Sequence, residues 1–150
     1  MRKVVALALV ALVSATAAVA QSNQFMDTLL ASKQLDFGQA SYLVLVASDN
    51  IGEDADAPRA FELLGSMGWA PEDATLETPV TLAQFSFMLM KAFGLRGGLM
   101  YRLFPGPRYA YRELRSVAVI QGRSDPGMAV DGSAAVRMLG RVFDVKGVSE

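Results

Sequence analysis

The sequence predicts an all-α fold: three helix–loop–helix units packed as one compact domain behind a short export signal. Apolar residues recur at helical rather than alternating spacing. Polar helix-start residues recur in register with them, and the chain carries an internal repeat. The elements are justified by these patterns in turn.

Arg2 and Lys3 precede an unbroken apolar run, Val4 to Val13, and small residues follow to Ala18-Val19-Ala20. This order is that of a cleaved signal peptide. The run is shorter than the roughly 20 residues a membrane span needs. Residues 1–20 are therefore expected to be removed, leaving 21–150 as the helical domain, exported to the periplasm or cell envelope. No cysteine follows the site to carry a lipid, and no later run is long enough to span a membrane.

Residues 59–95 align with 109–145 without a gap. Ala60/Ala110, Leu64/Leu114, Ser66/Ser116, Val80/Val130, Met88/Met138, Leu89/Leu139 and Phe93/Phe143 are identical, mostly at apolar helix positions. Residues 35–48 align with 80–93, matching Gln39/Gln84, Ser41/Ser86 and Ala47/Ala92. The units fall at about 23–48, 58–94 and 108–144 on this repeat.

The second helix of each unit is the best marked. Leu82, Phe85, Leu89, Ala92 and Phe93 follow i, i+3, i+4 spacing, and Val136, Leu139, Val142 and Phe143 follow it again. Thr81-Leu82-Ala83-Gln84 and Asp36-Phe37-Gly38-Gln39 read as capping boxes, and Asp131 as a third N-cap. Leu43 to Val46 suits a buried strand on composition, but the repeat argues for helix. Phe61, Leu64 and Met67 form a first-helix face closed by Gly68; Tyr111, Leu114 and Val117 form its counterpart. Phe25, Leu29 and Leu30 take that place in the first unit. Asp49–Pro58 and Gly94–Pro107 read as linkers.

Composition narrows the chemistry. The 150 residues contain no Cys and no His. That excludes Cys/His zinc sites, imidazole-dependent triads and disulfides. A formal net charge of −1 argues against nucleic-acid binding. The near-neutral total hides a dipolar chain. Residues 21–90 hold 10 acids and 2 bases, whereas 91–150 hold 5 acids and 10 bases. The acids of Asp49–Asp56 lack the spacing of a calcium loop and read as solvated. No phosphate-binding glycine motif is present. No metal, cofactor or catalytic residue is expected. Trp69 and the methionines read as core packing.

Leu76-Glu77-Thr78-Pro79-Val80-Thr81-Leu82-Ala83-Gln84-Phe85, then Met88-Leu89 and Ala92-Phe93-Gly94-Leu95, resembles the end of an S-layer homology domain. That pattern runs approximately F-x-P-x-x-P-I-T-R-A-E-F into a helix ending A-L-G-L. Ala60-Phe61-Glu62-Leu63-Leu64 with Gly68-Trp69 is similar to its preceding A-I-x-x-L…G-I element. The third unit shares the layout through Ala110-Tyr111, Leu114, Val119-Ile120-Gln121-Gly122 and Val130-Asp131. Thr81 and Ala83 match the T-R-A-E motif, while Leu82 replaces its basic residue and Gln84 its acidic one. The resemblance implies a compact helical module, often in three pseudo-threefold copies, that anchors envelope proteins to cell-wall polysaccharide.

The binding candidates are an arginine-aromatic set. Arg96, Tyr101, Arg102, Arg108, Tyr109 and Arg112 lie close in sequence, with Phe104, Tyr111 and Arg115 among them. Guanidinium groups pair bidentately with carboxylate or phosphate, and aromatic faces stack on sugars. Thr81 joins the set through the motif. The alternative is that Tyr101, Phe104 and Tyr109 cover the core while the arginines pair with the acidic half. The expected function is a non-catalytic envelope binding or scaffold module for an anionic wall polymer. A protein–protein adaptor for another envelope protein, and a small glycan-acting enzyme using carboxylates, are the competing readings.

Overall fold

The described elements are all helices. The computed structural model describes residues 24–148, which form α1 (24–31), α2 (Phe37–Ala47), α3 (Ala57–Ser66), α4 (Leu82–Ala92), α5 (Leu99–Leu103), α6 (Pro107–Ser116) and α7 (Gly132–Val148). Among these residues the only β-type pairings are two isolated antiparallel bridges, Asp36 with Pro79 and Thr81 with Ala129. The signal peptide expected over 1–20 lies outside the described residues.

The helix starts follow their caps. Asp36 accepts the Gln39 N–H at 2.8 Å, and the Gln39 side chain reaches back to the Asp36 N–H. Thr81 and Gln84 make the same reciprocal pair. Asp131 Oδ1 accepts the Ala134 N–H at 2.7 Å. Each cap satisfies donors that a helix start leaves free.

The helix ends share another device. The residues after α2, α3, α4 and α6 turn left-handed at Asp49, Gly68, Gly94 and Ala118. The next N–H then reaches back to the last turn: Asn50 to Leu45, Trp69 to Leu64, Leu95 to Met90 and Val119 to Leu114, at 2.9–3.1 Å. These bonds occupy carbonyls that the helices cannot pair themselves.

The three capped starts bond to one another's approaches. Phe37 N donates to Thr78 O and Gly38 N to Leu76 O, both in the loop before α4. Leu82 N donates to Met128 O and Ala83 N to Pro126 O, both in the loop before α7. Gly132 N donates to Ser32 O, in the loop before α2, which closes the ring. Within it Leu35 N donates to Val130 O at 2.8 Å and Val80 N to Leu35 O at 2.9 Å. Leu35, Val80 and Val130 are buried there. Gly132 permits the closest approach, because a Cβ at that position would lie 1.7 Å from Leu29 O.

The core forms where α2 packs on α3 and α4, and α4 on α6. Phe37, Leu45, Leu64, Phe85, Met88, Leu89 and Leu114 are fully buried in it. The stretch Leu43 to Val46, strand-like in composition, is helical: Leu43, Val44 and Leu45 are buried within α2. Trp69 is half-buried against the core. Four details depart from the periodic reading. Leu30, Val117 and Phe143 are about half exposed, although Phe143 stacks edge-on against Phe93 at 5.2 Å. The stretch Gly94–Pro107, read as linker, contains α5, which is too short for apolar periodicity to register.

Candidate functional site

The arginine-aromatic set divides on folding. Arg96 follows α4, and Tyr101 and Arg102 belong to α5. With Lys91, Leu95, Gly97 and Pro105 they line a hollow of about 510 Å³. Three cations and no carboxylate face it. Arg108 and Arg112 stand exposed on α6 and do not line this hollow. Tyr109 is half-buried against the core. Thr81 is committed to its helix start: its N–H and its hydroxyl both donate to Gln84 Oε1 at 2.9 Å.

Tyr101 anchors α5. Its side chain is 7% exposed and packs against Gly97, where an added Cβ would lie 2.6 Å from the ring. Burial pushes its phenol pKa above the ordinary value. Its hydroxyl is buried without a hydrogen-bond partner. Phe104, by contrast, is 61% exposed and does not cover the core.

The alternative reading, in which the arginines pair with the acidic half, is not what forms among the described residues. Among the described residues one ion pair occurs, Arg59 with Glu62 at 3.6 Å on an exposed helix surface. Lys91 instead lies 5.5 Å from the centre of the Phe87 ring and Arg115 donates to the Tyr111 hydroxyl at 2.9 Å, while Arg96, Arg102, Arg108 and Arg112 stand exposed. No group of three or more Asp or Glu side chains among the described residues is arranged to hold a metal ion.

A second cationic site was not singled out by sequence. A groove of about 200 Å³ lies where the start of α4 meets the approach to α7. Arg123, Arg137 and Arg141 line it, with Leu82 and Asp131. Arg141 Nη1 donates to Val119 O at 3.0 Å, and Arg137 Nη1 to Ser133 Oγ at 3.1 Å. Each guanidinium group is thus tethered through one nitrogen, that of Arg137 on an exposed surface. Asp131 is the single acid in the lining. Its carboxylate is held by the Ser133 hydroxyl and the Ala134 N–H, both at 2.7 Å. The Ser133 bond, then the Ala134 bond, hold its pKa below the usual carboxylate value, and Arg137 adds to the effect. The signal available in the sequence was the i, i+4 pair Arg137 and Arg141; Arg123 joins them only through the loop.

Apolar residues line a third space of about 510 Å³ between the ends of α4, α6 and α7, including Met90, Phe93, Leu95, Leu114 and Val117. Arg96, Glu113 and Lys146 stand among them.

No protein-family model, curated protein or solved structure matches the chain.

Proposed function

We propose that this chain is an exported, envelope-associated binding module of three helix–loop–helix units, and that its ligand is an anionic wall polymer. The observation that carries the ligand is the groove of Arg123, Arg137 and Arg141, in which two guanidinium groups are each tethered by a hydrogen bond. Guanidinium groups gathered in this way suit carboxylate or phosphate substituents on a repeating polymer. The one acid present, Asp131, is hydrogen-bonded to its own helix start and makes no ion pair with the arginines, so three positive charges face one negative charge in the groove.

The three-unit reading is supported by equivalent bonds at equivalent positions. The caps at Asp36, Thr81 and Asp131 each draw N–H groups into the ring described above. Ser41 and Ser86, aligned in the repeat, are both fully buried and both donate to the carbonyl four residues earlier. Gly68 and Ala118, also aligned, both turn left-handed. The S-layer homology resemblance agrees with this arrangement and with wall attachment.

Co-sedimentation with purified wall material tests the proposal. The wild-type protein should pellet, and pelleting should fall as salt rises. Arg123→Glu combined with Arg137→Glu should weaken binding at least about tenfold, since each lost charge-assisted contact is worth about 1.5–3 kcal/mol. A wild-type protein that stays in the supernatant, or a double variant that pellets equally, overturns it.

The apolar space between α4, α6 and α7 favours a second reading, an adaptor for another envelope protein. Crosslinking in the envelope fraction separates the two. Recovery of one protein, unaffected by stripping polysaccharide, supports the adaptor.

A further inference from the structure

We propose that α5 is a membrane-contact element that seats the domain on an anionic lipid surface. This goes beyond polymer binding and uses none of the side chains of the Arg123–Arg137–Arg141 groove. Leu99, Met100, Leu103 and Phe104 are 68%, 45%, 59% and 61% exposed. Scattered exposed apolar residues are ordinary, but a contiguous cluster marks a contact surface. Here four large apolar side chains stand out of a stretch of six residues.

The local geometry explains why they point outward. Leu99, Met100 and Leu103 share one helical face, spanning about 100° at 3.6 residues per turn. Phe104 follows as the C-cap. Tyr101 lies off that face and is buried, so the same residue that ties α5 to the body directs its neighbours away from it. Inside, α5 packs on α6.

Charge selects the occupant. From Lys91 to Arg112 the chain carries Lys91, Arg96, Arg102, Arg108 and Arg112 and no acid. Arg96, Arg102 and Arg108 are exposed. One carboxylate comes near: Glu113, whose Oε1 would lie 3.1 Å from a Cβ added at Gly98. A soluble polyanion has no use for the apolar cluster, and an apolar protein groove has none for the unpaired cations. An anionic bilayer uses both. The apolar tip enters the headgroup–acyl boundary, and the arginines meet the lipid phosphates.

The chain has no cysteine, so one introduced thiol gives a single labelling site. Processed protein of residues 21–150 carrying Leu103→Cys, labelled with an environment-sensitive dye, is mixed with two kinds of vesicle: phosphatidylcholine alone, and phosphatidylcholine with phosphatidylglycerol. The dye should brighten and shift to the blue with the anionic vesicles, and raised salt should diminish the response. The same dye at Ser66→Cys, exposed at the end of α3, should not respond. In the chain labelled at Leu103→Cys, Phe104→Asp should weaken the response about tenfold or more, from loss of one buried apolar side chain. Arg102→Gln and Arg108→Gln should weaken it about fivefold each. These positions are exposed, and unchanged circular dichroism would verify that the variants fold. No response at Leu103→Cys, an equal response at Ser66→Cys, or an equal response with neutral vesicles overturns the proposal. So does a response to soluble wall polymer that matches the response to vesicles.

Discussion

Gly132→Ala is expected to destabilise the protein, although it exchanges the poorer helix former for the best one. Inside a helix that exchange normally stabilises by up to about 1 kcal/mol. At Gly132 the added Cβ would lie 1.7 Å from Leu29 O, 2.6 Å from Leu29 C and 3.2 Å from Leu30 Cα. All three are backbone atoms, so no side chain can rotate out of the way. Relieving the clash moves α1 from α7 by on the order of 1 Å, which removes attractive contacts along the junction. The Gly132 N–H to Ser32 O bond, 3.0 Å long, lies on the same approach. Overpacking of about 1–3 kcal/mol and one weakened hydrogen bond of about 1 kcal/mol outweigh the propensity gain. The net loss is about 1–3 kcal/mol, and Tm should fall by roughly 4–12 °C at about 4 °C per kcal/mol. Thermal and urea unfolding followed by circular dichroism measure it. Gly140→Ala is the internal control: it lies exposed in the same helix with no atom within 4 Å of its Cβ position. That substitution should stabilise by about 0.5–1 kcal/mol. If Gly132→Ala is as stable as wild type, or tracks Gly140→Ala, the close approach of α1 and α7 is wrong.

Ala118→Gly should stabilise by about 1 kcal/mol in the same unfolding assay, because Ala118 holds a φ of +60° that costs an L side chain about that much. Tyr101→Phe should raise Tm by removing a buried hydroxyl without a partner, a gain of about 1 kcal/mol; a lower Tm would mean the hydroxyl is satisfied. Thr81→Ala should lose about 1 kcal/mol as its helix start loses the side-chain cap, and urea midpoints of the two proteins should separate accordingly. Asp131→Asn should be less stable than wild type at neutral pH. The folded state depresses the Asp131 pKa, so its charge stabilises above the unfolded value and that contribution is lost as pH falls through the folded value. Unfolding curves of the two proteins should therefore converge in acid; a gap that widens there would refute the assignment.

Much of the local structure was readable because it depends on neighbours in sequence. A threonine followed three residues later by glutamine just before an apolar run marks a helix start, and Thr81 and Gln84 behave so. Gly68 supplies the left-handed turn that ends α3 for the same reason. Its aligned partner Ala118 takes the same turn without the glycine, so composition alone did not mark it. The candidate site was less readable. Arg96, Tyr101 and Arg102 do share a hollow, whereas Arg108 and Arg112 lie along α6 outside its lining. Proximity in sequence held only until a helix intervened. Arg123 was missed because the loop that carries it has no periodicity.

Helix positions, caps and the absence of disulfide or imidazole chemistry followed from residue order and composition, since those properties act over one or two turns. The tertiary structure alone decided how the three helix starts bond to each other's approaches, why position 132 must be glycine, and which arginines share a groove. Those outcomes depend on distances between segments far apart in the chain, where a carbonyl 1.7 Å from an imagined Cβ leaves no local trace.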